Sequence, residues 1–182
     1  MHAGGVARDG RAWILAGGPN AGKTTTTFHL VEAGFSFVCE EIAIIDSTTH
    51  RLQPFLQTPS LDGRYLERRG QHPGNSGTPR HGRFERLNEF VTRYLPDRVC
   101  SVPVPLQGIL LPRFAPNDPS RVEELTPAAA LTEFLGYCFE PKEDTEGFFD
   151  KVIRLLETHK VFRRRFDGTD SLMRDLDTVL QR

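Results

Sequence analysis

A glycine-rich segment over residues 17–24 ends in a lysine and a threonine. It fits the pattern G-x-x-x-x-G-K-[ST] of phosphate-binding loops (P-loops), and the apolar run 12–16 before it is typical of a strand. In such a loop backbone N–H groups turn toward the phosphates. Lys23 would place its charge beside the β- and γ-phosphates, and the Thr24 hydroxyl would bind Mg²⁺. We therefore expect ATP or ADP with Mg²⁺ to bind at Gly17, Gly18, Pro19, Asn20, Ala21, Gly22, Lys23, Thr24 and Thr25.

Two consecutive carboxylates, Glu40 and Glu41, follow the apolar run 35–39, which predicts a strand. Beside a phosphate-binding loop one carboxylate can hold Mg²⁺ while the other orients or deprotonates an attacking hydroxyl. Because consecutive strand residues point to opposite faces, both can serve one site only if the strand ends there. A solvated strand end is the alternative interpretation, and Asp46 is a competing carboxylate.

The remaining pattern alternates strands and helices. A helix is expected from Thr24 to Ala33 with Gly34 as its C-cap, and a hairpin is expected to join the runs 42–46 and 51–55. Further expected elements are one or two edge-type strands over 99–114, a helix N-capped by Thr126 with an apolar face over 131–139, a helix over 145–159, a strand over 161–166 and a closing helix over 171–180.

Residues 58–83 are rich in glycine and proline and poor in apolar side chains, which predicts a long loop. The segment from Arg64 to Arg93 contains seven arginines and three acidic residues, which gives a local net charge of +4. This segment is either a solvated excursion or a lid whose arginines clamp phosphates or an anionic substrate, ordering when nucleotide and acceptor are both present.

Composition narrows the class of protein. The net charge of −1 gives no electrostatic reason to expect binding to nucleic acid or to an anionic membrane. No apolar run is long enough to span a bilayer, and no signal-peptide pattern opens the chain. Three cysteines without metal-ligand spacing indicate reduced thiols and a cytoplasmic protein. The aromatic stripes of the second half are expected to be core rather than a cofactor site.

Several segments together resemble the kinase domain of the HPr kinase/phosphorylase family, within the phosphoenolpyruvate-carboxykinase-like P-loop proteins. They are residues 2–7, the loop, and residues 33–41. Members of that family place a histidine before the first strand and a Gly-x-x-x-x-x-Asp-Asp segment after the following helix. Here His2 precedes Lys23 by 21 residues and Gly34 precedes Glu40 by six, with glutamates in place of the aspartates.

The resemblance implies ATP-dependent phosphorylation of a hydroxyl, most directly a serine of a protein or peptide. It implies Glu40 as catalytic base, His2 beside the γ-phosphate, and Thr24 with Glu41 as metal ligands. Because His2 is the second residue of the sequence, its backbone is expected to fray. The Glu-Val-Arg-Gly segment of the bifunctional enzymes is not found, so phosphorylase activity is not expected.

The sequence therefore predicts a single α/β domain over residues 1–182, a P-loop-centred mixed sheet flanked by helices and similar to the C-terminal domain of HPr kinase. Its C-terminal part is expected to be helical from about residue 126. Its partners are expected to be ATP or ADP and a hydroxyl-bearing acceptor, and a homo-oligomer is possible. A nucleotide-binding regulatory module without transfer activity and a small-molecule kinase are the alternative functions.

Overall fold

The computed structural model describes residues 1–56, 60–61, 82–83, 98–139 and 144–167. The Arg-rich segment, apart from residues 82–83, and the predicted closing helix lie outside the described residues. The strands are β1 (Ala3–Arg8), β2 (Arg11–Ala16), β3 (Ser36–Cys39), β4 (Ile44–Ile45), β5 (Arg51–Gln53), β6 (Ser60–Leu61), β7 (Gly82–Arg83), β8 (Val104–Phe114), β9 (Arg121–Leu125) and β10 (Lys160–Phe166). The helices are α1 (Lys23–Glu32), α2 (Pro127–Phe134), a 3₁₀ turn (Leu135–Tyr137) and α3 (Thr145–Thr158).

The main sheet is open and mixed, with strand order β3-β1-β2-β8-β10-β9. The three central strands β2, β8 and β10 run parallel, whereas β1 is antiparallel to both β2 and β3, and β9 is antiparallel to β10. The short hairpin β4–β5 joins the start of β8, and β6 pairs with β7 separately. The predicted mixed α/β sheet is confirmed in this form.

The strands carry apolar side chains on both faces of the sheet, and helices therefore cover both faces. On β2, Trp13 and Leu15 pack in one cluster with Phe28 and other residues of α1. Ile14 packs in the other cluster with α2 and α3, through residues such as Phe134. An open sheet that is apolar on both faces needs a helical layer on each side.

Several predicted elements are confirmed with small shifts at their ends. Gly34 has φ +105°, and the N–H of Phe35 donates to the carbonyl of Leu30, which closes the last turn of α1. The hairpin β4–β5 forms as predicted. The Thr126 hydroxyl caps α2 by accepting from the N–H of Ala129.

The apolar face predicted over 131–139 is only partly right. The α-helix ends at Phe134, a 3₁₀ turn follows, and Phe139 lies beyond both with 61% of its surface exposed.

The prediction of edge-type strands over 99–114 is wrong, because β8 lies in the middle of the sheet. Pro105 and Pro112 flank the stretch 106–110, the part of β8 that pairs with β2. A proline cannot donate to a ladder hydrogen bond, and both prolines lie outside the ladder between β8 and β2, whereas Pro112 lies opposite Arg164 in the ladder between β8 and β10.

Strand β1 was not expected, because its two glycines lower the β-propensity of residues 3–8. The signal for it is the dipeptide Asp9-Gly10, which links Arg8 to its register partner Arg11 as a two-residue turn. Both turn residues have positive φ, 52° and 72°, as the tight hairpin turns require.

Gly108 tests the packing of the central strands. A Cβ at this position would lie 2.5 Å from Trp13 Cζ3 on β2 and 3.1 Å from the carbonyl oxygen of Lys160 on β10. We expect Gly108→Ala to lower the free energy of unfolding by roughly 1–3 kcal/mol, measured by urea denaturation. Gly136→Ala is the matched control, since a Cβ on Gly136 would meet no atom within 4 Å; equal destabilisation by both variants would contradict this packing.

Candidate functional site

The predicted site residues come together at one edge of the main sheet. The glycine-rich loop, residues 17–22, leaves the carboxyl end of β2, and Glu40 and Glu41 leave the carboxyl end of β3. His2 directly precedes β1, whose first residue pairs with Ala16 at the end of β2. Open α/β sheets bind ligands at the carboxyl ends of their parallel strands, so this edge is the expected place for a site.

The glycine-rich loop folds back on itself before α1 begins. The N–H of Ala21 donates to the carbonyl of Gly18, and Asn20 and Gly22 have φ of 60° and 95°. A Cβ on Gly22 would lie 2.4 Å from Phe166 Cζ on β10. Glycine is therefore required at position 22 both by its backbone conformation and by the close approach to the sheet.

The N-terminus of α1 is suited to bind an anion. The helix has 10 residues, its N-cap Gly22 makes no side-chain cap, and its first turn carries no acidic residue. The first N–H groups of a helix have no intrahelical partner, and the helix dipole favours negative charge there. Pro19 and Asn20 are exposed on the loop, and Thr24 and Thr25 are half-buried on the first turn of the helix.

The Lys23 side chain folds back over the loop. Its Nζ donates to the carbonyl of Gly18 at 3.0 Å, and the residue is only 7% exposed. Burial lowers the pKa of the Lys23 ammonium, and the nearby carboxylates of Glu40 and Glu41 act in the opposite direction. A phosphate in the loop would supply further negative charge beside this buried cation.

The Glu40 side chain is fully buried and lies beside the first turn of α1. Its Oε1 accepts a hydrogen bond of 2.8 Å from the Thr24 hydroxyl. Burial raises the pKa of the Glu40 carboxyl to about 7, and Glu41 adds to the rise, whereas the hydroxyls of Thr24 and Thr27 and the charge of Lys23 oppose it. A solvated strand end, the alternative interpretation of this residue, is therefore wrong for Glu40.

The second oxygen of Glu40 faces the backbone of β1. Within the described part of the chain, Glu40 Oε2 and Thr27 Oγ1 lack hydrogen-bond partners, although the Thr27 hydroxyl is close enough to stabilise the carboxylate. A Cβ on Gly4 would lie 2.7 Å from Thr27 Oγ1 and 2.9 Å from Glu40 Oε2. The missing side chain of Gly4 thus makes the room in which the carboxylate lies.

Glu41 and His2 form a second pair that is open to solvent. His2 Nε2 lies 2.8 Å from Glu41 Oε2, where an N–H on that nitrogen donates to the carboxylate, and the side chains are 31% and 43% exposed. Contrary to the expected fraying, the N–H of His2 donates to the carbonyl of Tyr137 and its backbone bridges to Ile42.

The backbone at Glu41 turns sharply. Its φ is 66°, and the N–H of Ile42 donates across it to the carbonyl of Glu40. A γ-turn with positive φ at a residue other than glycine is strained, and such strain is typical of functional sites. β3 ends at Cys39, and this turn directly after it explains how two consecutive carboxylates can serve one edge.

Asp46 does not join the site. Its carboxylate accepts hydrogen bonds from the N–H groups of Thr48 and Thr49 within its own turn, which lower its pKa. The adjoining strand β5 pairs with the first residues of β8, whereas the glycine-rich loop approaches Pro112 near the end of β8. Asp46 therefore stabilises a turn near the opposite edge of the sheet.

The donor set at this edge suits Mg²⁺ bound with a phosphate rather than a closed protein cage. Among the described residues no group of three or more His, Cys, Asp and Glu side chains is arranged to hold a metal ion. Mg²⁺ is commonly bound through one or two carboxylates, waters and substrate phosphates. The Thr24 hydroxyl and the Glu40 carboxylate lie together and could contribute two oxygen atoms to such a site.

Sequence reasoning missed four residues that shape the site. Gly4 and Thr27 surround the buried oxygen of Glu40, Phe166 supports Gly22, and Tyr137 holds the backbone of His2. Only Gly4 had a signal, because a glycine inside a strand marks a close approach, and that signal depends on first recognising β1 from the Asp9-Gly10 turn.

No protein-family model and no curated protein matches the sequence. Among solved structures, the chain is similar to the HPr(Ser) kinase/phosphatase from Coxiella burnetii at 13% sequence identity and a TM-score of 0.45, covering 100% of this chain and 98% of that chain. A similarity this low carries no conclusion about activity. Within the described residues every helix is too short or too polar to cross a bilayer.

The buried carboxyl of Glu40 should make stability depend on pH. Its pKa rises from 4.5 to about 7 on folding, so the folded state holds the proton more tightly than the unfolded state. The free energy of unfolding should therefore fall as pH rises from about 4.5 to about 7. Glu40→Gln removes this loss and should become more stable than the wild type, by on the order of 3 kcal/mol at pH 8, in urea denaturation across pH 4–8.

The matched control is Glu41→Gln, which removes the neighbouring carboxyl where it is 43% exposed. The same pH-dependent gain in Glu41→Gln, or a gain for Glu40→Gln that does not vary with pH, would contradict burial of Glu40 as the cause.

Proposed function

We propose that the protein is an ATP-dependent kinase that transfers the γ-phosphoryl group to a hydroxyl of an acceptor. The observation that carries the proposal is the placement, at one sheet edge, of an uncapped helix N-terminus, a buried lysine and two carboxylates with different surroundings. Phosphoryl transfer relies on positioning and on neutralising charge, and these are the groups it needs.

The phosphates of ATP would lie along the glycine-rich loop and the first turn of α1. There the free N–H groups and the helix dipole favour negative charge, and Lys23 adds a positive charge. The hydrogen bond from Lys23 to Gly18 would be exchanged for one to a phosphate oxygen.

Mg²⁺ fits beside Thr24 and Glu40 better than beside Thr24 and Glu41. The Thr24 hydroxyl contacts Glu40 at 2.8 Å, whereas Glu41 contacts His2 at 2.8 Å on the solvent side. We therefore propose that Glu40 lies beside the metal ion and that Glu41 is the base, which is the reverse of the roles that the sequence resemblance implies. When bound, the ion would neutralise charge on the β- and γ-phosphates.

Glu41 would then act as the base, with His2 orienting it. Its carboxylate is accessible to an acceptor, whereas that of Glu40 is fully buried. In the transfer the acceptor oxygen forms a bond to the γ-phosphorus and gives its proton to Glu41, while the bond from that phosphorus to the β–γ bridging oxygen breaks and ADP leaves. A serine of a protein or peptide is the acceptor we favour.

Lys23 provides the first test. Lys23→Ala removes the charge that faces the loop, so we expect weaker Mg·ATP binding in calorimetry and loss of transfer. Equal affinity and equal turnover in the variant and the wild type would count against a functional phosphate-binding loop.

The two glutamates provide the second test. The wild type and each glutamine variant are compared in a ³²P-transfer assay, with cell extract as the source of the acceptor. Glu41→Gln should slow transfer by about 10²–10⁴-fold while Mg·ATP binding stays nearly unchanged, because only the base is lost. Glu40→Gln should raise the Mg²⁺ concentration needed for half-maximal transfer by about 10–100-fold.

Asp46→Asn is the control and should leave transfer unchanged, because Asp46 lies in a turn near the opposite edge of the sheet. Loss of transfer in Asp46→Asn with both glutamine variants active would overturn the assignment. ATP binding without transfer by the wild type to any acceptor would instead support a nucleotide-binding regulatory module.

A further inference from the structure

A large aromatic side chain, Phe114, lies exposed beside the glycine-rich loop. It is the last residue of β8, and 47% of its surface is accessible to solvent. Its N–H donates to the carbonyl of Ala21 in the loop at 3.2 Å. The ring is therefore held next to the start of α1 without being covered.

The ring of Phe114 is also supported from the sheet. It lies 5.7 Å from the ring of Phe166, centroid to centroid, and the two residues are register partners on β8 and β10. Phe166 is buried and touches Gly22 at the start of α1. Register partners point to the same face of a sheet, so Phe114 lies on the face that carries α1.

The order of the strands fixes which end of a nucleotide reaches this place. Glu41 and His2 lie at the ends of β3 and β1, on one side of β2, and β8 and β10 lie on the other side. If the γ-phosphate faces Glu41, the chain of phosphates crosses the loop and the nucleoside leaves toward the ends of β8 and β10. Phe114 is the exposed aromatic residue at that end of β8.

We propose that the base of the nucleotide stacks on the ring of Phe114. This inference rests on the proposed function, because it needs phosphates in the glycine-rich loop. Base stacking on an aromatic ring tolerates different bases, since every base has a π-face. Phe114 would thus add affinity for a nucleoside triphosphate over inorganic tripolyphosphate, which has no base to stack.

Calorimetric titration with Mg·ATP and with Mg·tripolyphosphate tests the inference, because only ATP carries a base. Phe114→Ala should weaken ATP binding by roughly 5–100-fold and leave tripolyphosphate binding unchanged. Phe114→Trp should retain ATP affinity, whereas Phe114→Leu, which keeps apolar bulk in the strand, should lose it as Phe114→Ala does. Thermal unfolding of each variant confirms that it folds.

Phe149→Ala is the matched control, an aromatic residue of α3 that is 38% exposed, and it should bind both ligands as the wild type does. Equal weakening of both ligands by Phe114→Ala, or no weakening of ATP, would overturn the role of Phe114 while leaving the proposed function in place. Failure of the wild type to bind either ligand would overturn the proposed function and this inference together.

Discussion

The hydrogen bond between Thr24 and Glu40 is the contact on which the geometry of the site depends. It joins the first turn of α1 to the end of β3, two segments separated by 16 residues in sequence. The bond lies within the protein, because Glu40 has no exposed surface. Burial makes the ionised carboxylate unfavourable, and this raises the pKa of Glu40 to about 7. Because this group lowers stability when ionised, its burial supports the role that we propose for Glu40.

Strand order makes this contact possible. Because β1 lies between β2 and β3, Glu40 must reach across β1 to contact the helix that follows β2. It does so over Gly4, whose missing Cβ leaves the space for its carboxylate. The same order separates the two sides of the glycine-rich loop, with Glu41 and His2 on one side and the ends of β8 and β10 on the other. A linear substrate would therefore meet different chemistry at its two ends.

Much of the site could be predicted from the sequence because its parts are local. The loop, the helix after it and the paired glutamates are each encoded within a few residues. The partners of those glutamates could not be predicted, because Thr24 with Glu40 and His2 with Glu41 depend on a γ-turn and on β1, whose glycines conceal a strand. The central position of β8 was missed for a similar reason, since its prolines are typical of an edge until their register against β2 is known.

A crystal structure with Mg²⁺ and a non-hydrolysable ATP analogue is the most direct test of the central claim that a nucleoside triphosphate binds at the start of α1. We predict that its phosphates lie against the N–H groups of the first turn of α1, with Mg²⁺ about 2.0–2.1 Å from Thr24 Oγ1 and Glu40 beside the ion. The γ-phosphate should lie nearest Glu41 and His2. A nucleotide bound elsewhere, or phosphates that avoid the loop and the start of α1, would contradict the claim.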